Sequence, residues 1–141
     1  MIRVVLDTNI LVSALLQPQG VPAQTFLISL AGITAKLCVS GNIYAEYEEV
    51  LRRAKFNRSE SVIEAALRVI RQNGFWVKPS EKVRACSDAD DDIFLECAQA
   101  ARAHYVVTVN LKHFPAKWAD TQIVTARQFL DAVADIREEP R

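Results

Sequence analysis

Short runs of apolar and β-branched residues alternate along this chain with longer segments whose apolar residues recur at helical spacing. The runs that predict strands are 2–6, 36–39, 75–77, 104–108 and 122–124. Strands that alternate with helices indicate a parallel sheet with helices on both faces, and nearly continuous apolar strands fit such a buried sheet. A chain of 141 residues suffices for one domain of this kind but not for two ordinary ones. We therefore predict a single α/β domain spanning residues 1–141.

Six segments have the apolar spacing of helices. The first begins near Leu11 and ends before Pro18, and the others are 21–30, 41–54, 59–73, 90–102 and 126–136. Ser40, directly before the third helix, is a residue type that commonly caps helices, and Gly74 is typical of a helix end. A helix thus follows most of the predicted strands, as a parallel sheet requires.

The charge balance limits how this chain can contact nucleic acid. Lys and Arg together number 17, as do Asp and Glu, which leaves a formal net charge of zero. A protein that coats nucleic acid usually carries an excess of Lys and Arg. Any contact with nucleic acid is therefore expected to come from a local patch.

The cysteines and the apolar segments indicate a cytoplasmic protein. Cys38, Cys86 and Cys97 are odd in number and widely spaced, which argues against a disulfide framework or a thiolate zinc site. Asp7 interrupts the apolar start, and no later run approaches the roughly 20 residues that a membrane span needs. We expect reduced thiols, a cytoplasmic location and no membrane contact.

Acidic residues fall where the predicted strands end. Asp7 follows the first strand, Glu46 lies in the helix after the second, and four aspartates crowd positions 88–92 at the start of another helix. In open α/β sheets, sites form outside the carboxyl ends of the strands. Neighbouring carboxylates repel each other unless a cation intervenes, and oxygen ligands suit Mg²⁺ or Mn²⁺. The pattern therefore predicts a metal site at this edge.

Each of these residues also has a purely structural interpretation. Asp7, Thr8 or Asn9 is suited to cap the following helix, and the aspartates at 88–92 complement a helix dipole. Glu48 and Glu49 fit a solvated helix face. The convergence of several acidic segments on one edge is what favours the metal site over these alternatives.

Four segments of the chain resemble PIN-domain nucleases in order and spacing. They are 4–13, 40–51, 88–98 and 105–114. The resemblance extends over roughly residues 2–130, and within the family the chain is most similar to the toxin components of bacterial type II toxin–antitoxin systems. It implies a three-layer α/β/α fold with a five-stranded parallel sheet and a metal-dependent endoribonuclease that leaves a 5′-phosphate and a 3′-hydroxyl.

The resemblance also implies roles for individual acidic residues. Asp7, Glu46 and Asp91 match the catalytic and metal-binding carboxylates of the family, with Mg²⁺ or Mn²⁺ as the cofactor. Asp88 is a candidate outer ligand of the metal, and Asp92 competes with Asp91 for the inner position.

The chain departs from the family pattern at a fourth position that is often Asp, where Asn110 stands. Asn110 offers a neutral oxygen, so a second metal would be held more weakly. The expected substrate-binding residues are polar and lie around the acidic site: Thr8, Asn9, Thr108, Asn110, Lys112 and His113. Thr8 and Asn9 are expected to brace the site by hydrogen bonds, and Thr108 to hold a water or a phosphate.

The expected substrate is single-stranded or structured RNA. The basic stretch 52–58 and the smaller group formed by Lys112, His113 and Lys117 are candidate RNA contacts, although the first also fits a solvated helix end. The resemblance further implies an antitoxin protein that covers the acidic groove, and a homodimer.

Three alternatives to this interpretation were considered. A phosphoaspartyl phosphatase of the haloacid dehalogenase type needs a second Asp where Asn9 stands, and a response-regulator receiver needs an Asp after the third strand and a Lys after the last. The sequence provides neither pattern. The third alternative is a catalytically degenerate PIN-like domain, marked by Asn110, that only binds RNA or a protein.

Overall fold

The protein is described here from a computed structural model that covers residues 1–53 and 56–138. Its strands are β1 (Ile2–Leu6), β2 (Ala35–Val39), β3 (Phe75–Trp76), β4 (Tyr105–Val107), β5 (Lys117–Trp118) and β6 (Thr121–Val124). They form a sheet of order β3-β2-β1-β4-β6-β5. The pairs of β1 with β2 and β4, of β2 with β3, and of β4 with β6 are parallel. The α/β fold with a mainly parallel sheet is therefore confirmed.

Within residues 1–53 and 56–138, the sheet has one strand more than the five predicted. β5 pairs antiparallel with β6, with Lys117 opposite Gln122 and Trp118 opposite Thr121. A left-handed backbone at Ala119, with φ of 50°, turns the chain between the two strands. A strand of two residues carries no alternation or apolar run, so the sequence holds no signal for it.

The six α-helices of the described residues lie close to their predicted positions. They are α1 (Thr8–Leu16), α2 (Val21–Ala31), α3 (Gly41–Leu51), α4 (Glu60–Asn73), α5 (Asp92–Ala101) and α6 (Ala126–Glu138). The Ser40 side chain accepts a hydrogen bond from Ile43 N–H and caps α3 as predicted. α3 ends at Leu51, and Ala54, where its end was expected, lies outside the described residues.

Helices cover both faces of the sheet. Val4, Val5 and Leu6 of β1 are consecutive residues, which point to alternate faces, and all three are fully buried. α2 packs against β2, and α5 packs against β1, β2 and β4.

Cys38 and Cys97 are buried free thiols, and Cys86 is a partly buried one. No helix within the described residues is both long and apolar enough to cross a membrane.

The order of the strands determines where polar side chains meet. From β1 the chain moves outward through β2 to β3, and it later returns to the other side of β1 through β4 and β6. The strand order therefore reverses between β1 and β4. In open α/β sheets, a crevice forms outside the carboxyl ends of the strands at such a switch point. Asp7 directly follows β1 and Thr108 directly follows β4, so the fold places both at this crevice.

Candidate active site

Asp7 lies at the junction of β1 and α1, with only 5% of its surface exposed. Its backbone N–H donates to the Val107 carbonyl over 2.9 Å, and the Thr108 hydroxyl donates to its Oδ2 over 2.7 Å. Asp7 occupies the N-cap position of α1, but its side chain makes no capping hydrogen bond. Burial raises its pKa, while the Thr108 hydroxyl and the backbone N–H groups of Thr8 and Asn9 lower it less. The Thr108 hydroxyl therefore orients the Asp7 carboxylate.

Glu46 faces the same region from the second turn of α3. The Thr8 hydroxyl donates a hydrogen bond to Glu46 Oε2 and so joins the start of α1 to α3. Burial raises the pKa of Glu46, the Thr8 hydroxyl lowers it, and the charges of Asp7 and Asp90 raise it further. The charges of Asp7 and Glu46 therefore interact across the crevice.

Tyr47 fixes the helix that carries Glu46. The ring is fully buried, and its hydroxyl donates to the Leu6 carbonyl over 2.6 Å. The bond ties α3 to the last residue of β1, next to Asp7. Sequence reasoning missed this role, because a buried tyrosine in an apolar helix face gives no sign of what its hydroxyl contacts.

Asp91 and Asp92 are adjacent in sequence but have different surroundings. Asp92 is buried, and its Oδ1 accepts hydrogen bonds from the backbone N–H groups of Ala85 (3.1 Å) and Cys86 (2.8 Å). Burial raises the pKa of Asp92, but these donors lower it more, so the net pKa lies below the usual value. Asp92 therefore anchors the segment that precedes the acidic turn.

Asp91 instead interacts electrostatically with the other carboxylates of the acidic site. Burial raises its pKa to about 6, together with the charges of Asp7, Asp88 and Glu46. The Nδ1 atom of His113 lies 3.5 Å from Asp91 Oδ2, and its charge opposes this rise. Asp91 thus remains the candidate metal ligand of the pair.

Asp88 and Asp90 shape the 3₁₀ turn formed by Ala89–Asp91. Asp88 is exposed, and its Oδ1 accepts a hydrogen bond from Asp90 N–H over 2.9 Å. The charge of Asp88 raises the pKa of Asp91, whereas the charge of Asp90 raises the pKa of Glu46. The acidic cluster therefore lies on the side of the site formed by the start of α5.

The loop after β4 supplies the remaining predicted site residues. Thr108 is fully buried and accepts a hydrogen bond from Asn110 N–H over 3.0 Å, besides donating to Asp7. Lys112 and His113 lie on an exposed 3₁₀ turn, Leu111–His113. The hydroxyls of Thr8 and Thr108 are thus bonded to carboxylates, while Asn9, Lys112 and His113 are exposed to solvent.

A family model of the PIN domain matches residues 3–112 of this chain. The chain belongs to the PIN-domain family. The matched range contains Asp7, Glu46 and Asp91, and also Asn110. A comparison with curated proteins found no match. PIN domains are generally nucleases and typically use divalent metal ions.

The donors in this PIN domain suit a hard divalent cation. Asp7, Glu46 and Asp91 offer only carboxylate oxygens; burial raises the pKa of each, and neighbouring carboxylates raise the pKa of Glu46 and Asp91 further. No group of three or more His, Cys, Asp or Glu side chains within residues 1–53 and 56–138 forms a ready-made metal cage. Mg²⁺ commonly keeps several of its waters and binds through one or two carboxylates, so the residues fit a partly hydrated ion of this kind.

Two grooves lead away from the acidic residues of the PIN domain. The first, here called the α3 groove, has a volume of about 530 Å³ and is lined by Asn42, Ala45, Glu46, Glu49, Arg53, Ala89, Asp90 and Ile93. The second, the β4 groove, has a volume of about 390 Å³ and is lined by Val109, Asn110, Leu111, Lys112, His113 and Thr125. Carboxylates dominate the charged lining of the α3 groove, whereas the β4 groove contains none.

Two arginines of the basic stretch 52–58 pair with glutamates. Arg52 lies 2.7 Å from a Glu60 carboxylate oxygen and also pairs with Glu48 and Glu64. Arg53 pairs with Glu49 at 3.7 Å. Lys55 lies outside the described residues. The positive charge of Arg52 and Arg53 is therefore offset locally.

Proposed function

We propose that this PIN domain is a metal-dependent endoribonuclease that hydrolyses phosphodiester bonds of single-stranded or structured RNA. The observation that carries the proposal is the electrostatic coupling of Asp7, Glu46 and Asp91 at the crevice between β1 and β4. Burial raises the pKa of all three carboxyls, and the charge of Asp7 raises the pKa of Glu46 and of Asp91 further. A fold gains nothing in stability from such an arrangement, whereas a bound cation would relieve the repulsion.

Asp7, Glu46 and Asp91 would hold Mg²⁺ or Mn²⁺, with Asp88 in the outer shell. When bound, such an ion lowers the pKa of a water molecule and neutralises charge that develops on the phosphate. The reaction adds water across the phosphodiester bond: the phosphorus–O3′ bond breaks, the 3′-oxygen takes a proton, and the hydroxyl remains on the 5′-phosphate.

The remaining residues orient the carboxylates. The Thr108 hydroxyl fixes the Asp7 carboxylate, and the Thr8 hydroxyl fixes that of Glu46. His113, which is half exposed and lies 3.5 Å from Asp91, is placed to contact a phosphate oxygen or to pass a proton to solvent. We therefore assign Thr8 and Thr108 positioning roles rather than direct contact with RNA.

We also propose that the domain is the toxin of a toxin–antitoxin pair, that it acts in the cytoplasm and that it forms a homodimer. The resemblance to toxin components supports this role. An antitoxin that inserts a basic side chain among Asp7, Glu46 and Asp91 would relieve the same repulsion as a metal ion. The expected partner is therefore a protein with an exposed Arg or Lys that competes with Mn²⁺ for the site.

The first experiment is an RNA cleavage assay on the purified protein. Single-stranded RNA is incubated with Mg²⁺, with Mn²⁺ or with a chelator, using wild type, Asp7→Asn and Asp120→Asn. Asp120 is an exposed aspartate in the β5–β6 turn, at the opposite edge of the sheet, so its variant controls for loss of one charge. We expect cleavage that needs the metal, is lost in Asp7→Asn and persists in Asp120→Asn.

Two results would contradict the proposal. If all three proteins cut equally, the activity is a contaminant. If none of the three proteins cuts any of several RNAs while the wild type still binds RNA, a catalytically degenerate binding module explains the protein better. Asn110 would then mark the loss of catalysis.

A further inference from the structure

The β4 groove differs from the rest of the site in combining exposed apolar side chains with positive charge. Val109 and Leu111 are 52% and 40% exposed, and both line the groove. The polar residues that line it are Asn110, Lys112, His113 and Thr125. Apolar side chains that share a concave surface with polar groups are typical of a ligand site.

The loop that carries these side chains is fixed at both ends. Asn110 N–H donates to Thr108 Oγ1, and the His113 carbonyl accepts from Ser87 N–H over 3.0 Å. Phe114, the next residue, is buried and packs edge-to-face on Phe94. The hydrogen-bonded loop backbone therefore keeps the Val109 and Leu111 side chains exposed to solvent.

The groove adjoins the acidic residues directly. Thr108 at one end of the loop bonds to Asp7, and His113 at the other end lies 3.5 Å from Asp91. A ligand in the groove thus lies beside the carboxylates that we assign to the metal. The α3 groove, on the other side, is lined by three carboxylates and one arginine, Arg53, and its net negative charge would repel a phosphate.

We propose that the β4 groove binds one unpaired nucleotide of a single-stranded RNA, next to the phosphate that is cut. Val109 and Leu111 contact the face of the base, and Lys112 attracts the phosphate backbone. Asn110 and Thr125 offer hydrogen bonds to the edge of the base; the Thr125 hydroxyl accepts from Gln128 N–H and keeps a proton to donate. This inference rests on the proposed function for its substrate class.

An unpaired base is required because the groove can contact a base face only when the base is unstacked. In duplex RNA both faces of a base are covered by its neighbours, and its edge is occupied by pairing. The groove volume of about 390 Å³ accommodates a single nucleotide but not a helix. The groove therefore selects single strands over duplexes.

The test is an RNA-binding measurement by fluorescence anisotropy in an Asp7→Asn background, which is expected to keep the RNA intact. The probes are a labelled mixed-sequence RNA of about 12 nucleotides and the same strand in a duplex. The double variant Val109→Ser/Leu111→Ser removes the apolar contacts. Ile33→Ser is the matched control, because Ile33 is 83% exposed and lies just before β2, at the opposite edge of the sheet.

We expect the double variant to weaken binding of the single strand by about tenfold and Ile33→Ser to leave it unchanged. The duplex should bind weakly to every variant. Unchanged affinity in the double variant, or equal affinity for the duplex, overturns the inference. Thermal melting of each variant checks that the fold is intact.

A cleavage assay with Asp7 present separates the two proposals. If the protein cuts RNA with Mn²⁺ at the same rate with and without Val109→Ser/Leu111→Ser, the groove inference fails and the nuclease stands. If RNA binding depends on the groove but no RNA is cut, the nuclease fails and the groove inference stands. If the protein neither binds nor cuts RNA, both fail.

Discussion

Thr108 Oγ1 donates to Asp7 Oδ2 over 2.7 Å, across the switch point where the strand order reverses between β1 and β4. The same hydroxyl accepts from Asn110 N–H. One side chain thus orients the first carboxylate of the acidic site and the loop of the β4 groove. Its position explains why the two parts of the site adjoin each other.

Thr108→Val keeps the shape of this side chain but removes both hydrogen bonds. The Asp7 carboxylate and Asn110 N–H then lose a partner in a buried place, and we expect the free energy of unfolding to fall by about 2 kcal/mol. Cleavage should fall by about 10- to 100-fold, the usual effect of removing a group that orients a metal ligand. Urea unfolding and kcat/KM measure the two effects. Thr108→Ser restores the hydroxyl and should recover most of both; a Ser variant as impaired as Val would argue against the positioning role.

Asp91→Ala and Asp92→Ala should have opposite consequences. Asp92 accepts from two backbone N–H groups, so its loss should lower the free energy of unfolding by about 2 kcal/mol. Asp91 is repelled by its neighbours, so Asp91→Ala should leave the metal-free protein at least as stable but abolish cleavage. Chemical unfolding and the RNA assay, run side by side, decide between the two aspartates. Full activity in Asp91→Ala would remove it from the metal site.

The metal-free protein should become less stable as pH rises through the acidic range. The pKa of Asp91 is raised to about 6 in the folded protein, and those of Asp7 and Glu46 are raised too. Between the unfolded pKa of about 4 and pH 6, the folded state therefore binds more protons than the unfolded state, and stability falls as these protons are lost. Asp92, whose pKa is lowered, acts in the opposite direction at lower pH.

Thermal melting between pH 4.5 and 7.5, in chelator and in Mn²⁺, measures this effect. Mn²⁺ should raise the melting temperature most at the upper end of this range, where the carboxylates are charged. Asp91→Asn should flatten the dependence seen in chelator. An equal response to Mn²⁺ in wild type and in Asp7→Asn would show that the ion acts elsewhere.

Tyr47→Phe removes the hydroxyl that binds the Leu6 carbonyl. We expect the free energy of unfolding to fall by about 1 kcal/mol, because a buried carbonyl loses its hydrogen bond. Cleavage should also fall, since α3 carries Glu46. Tyr105→Phe is the control, because the Tyr105 hydroxyl makes no side-chain hydrogen bond within the described residues. If the two variants were equally stable, the Tyr47 bond would contribute nothing.

Apolar runs and their spacing predicted five of the strands and the six α-helices found in the described part of the chain, because burial against neighbours follows directly from hydrophobicity. They also predicted that Asp7 and the loop after β4 share one edge. The sequence did not predict β5, whose two residues pair only because Ala119 turns the chain.

The details of the site depend on tertiary contacts and were less accessible. Thr108 and Asp7 are 101 residues apart, so no local pattern shows that they form a hydrogen bond. Asp91 ends a 3₁₀ turn and Asp92 begins α5, so the two adjacent side chains have different surroundings. The hydrogen bonds of Asp92 became evident only from the position of the backbone around Cys86.

The site is assembled from four stretches of chain, and the last of them includes Thr108. A nascent chain on the ribosome therefore lacks an organised Asp7 until strand β4 has emerged and joined β1. The topology of the sheet thus makes the orientation of the Asp7 carboxylate depend on the pairing of β1 with β4.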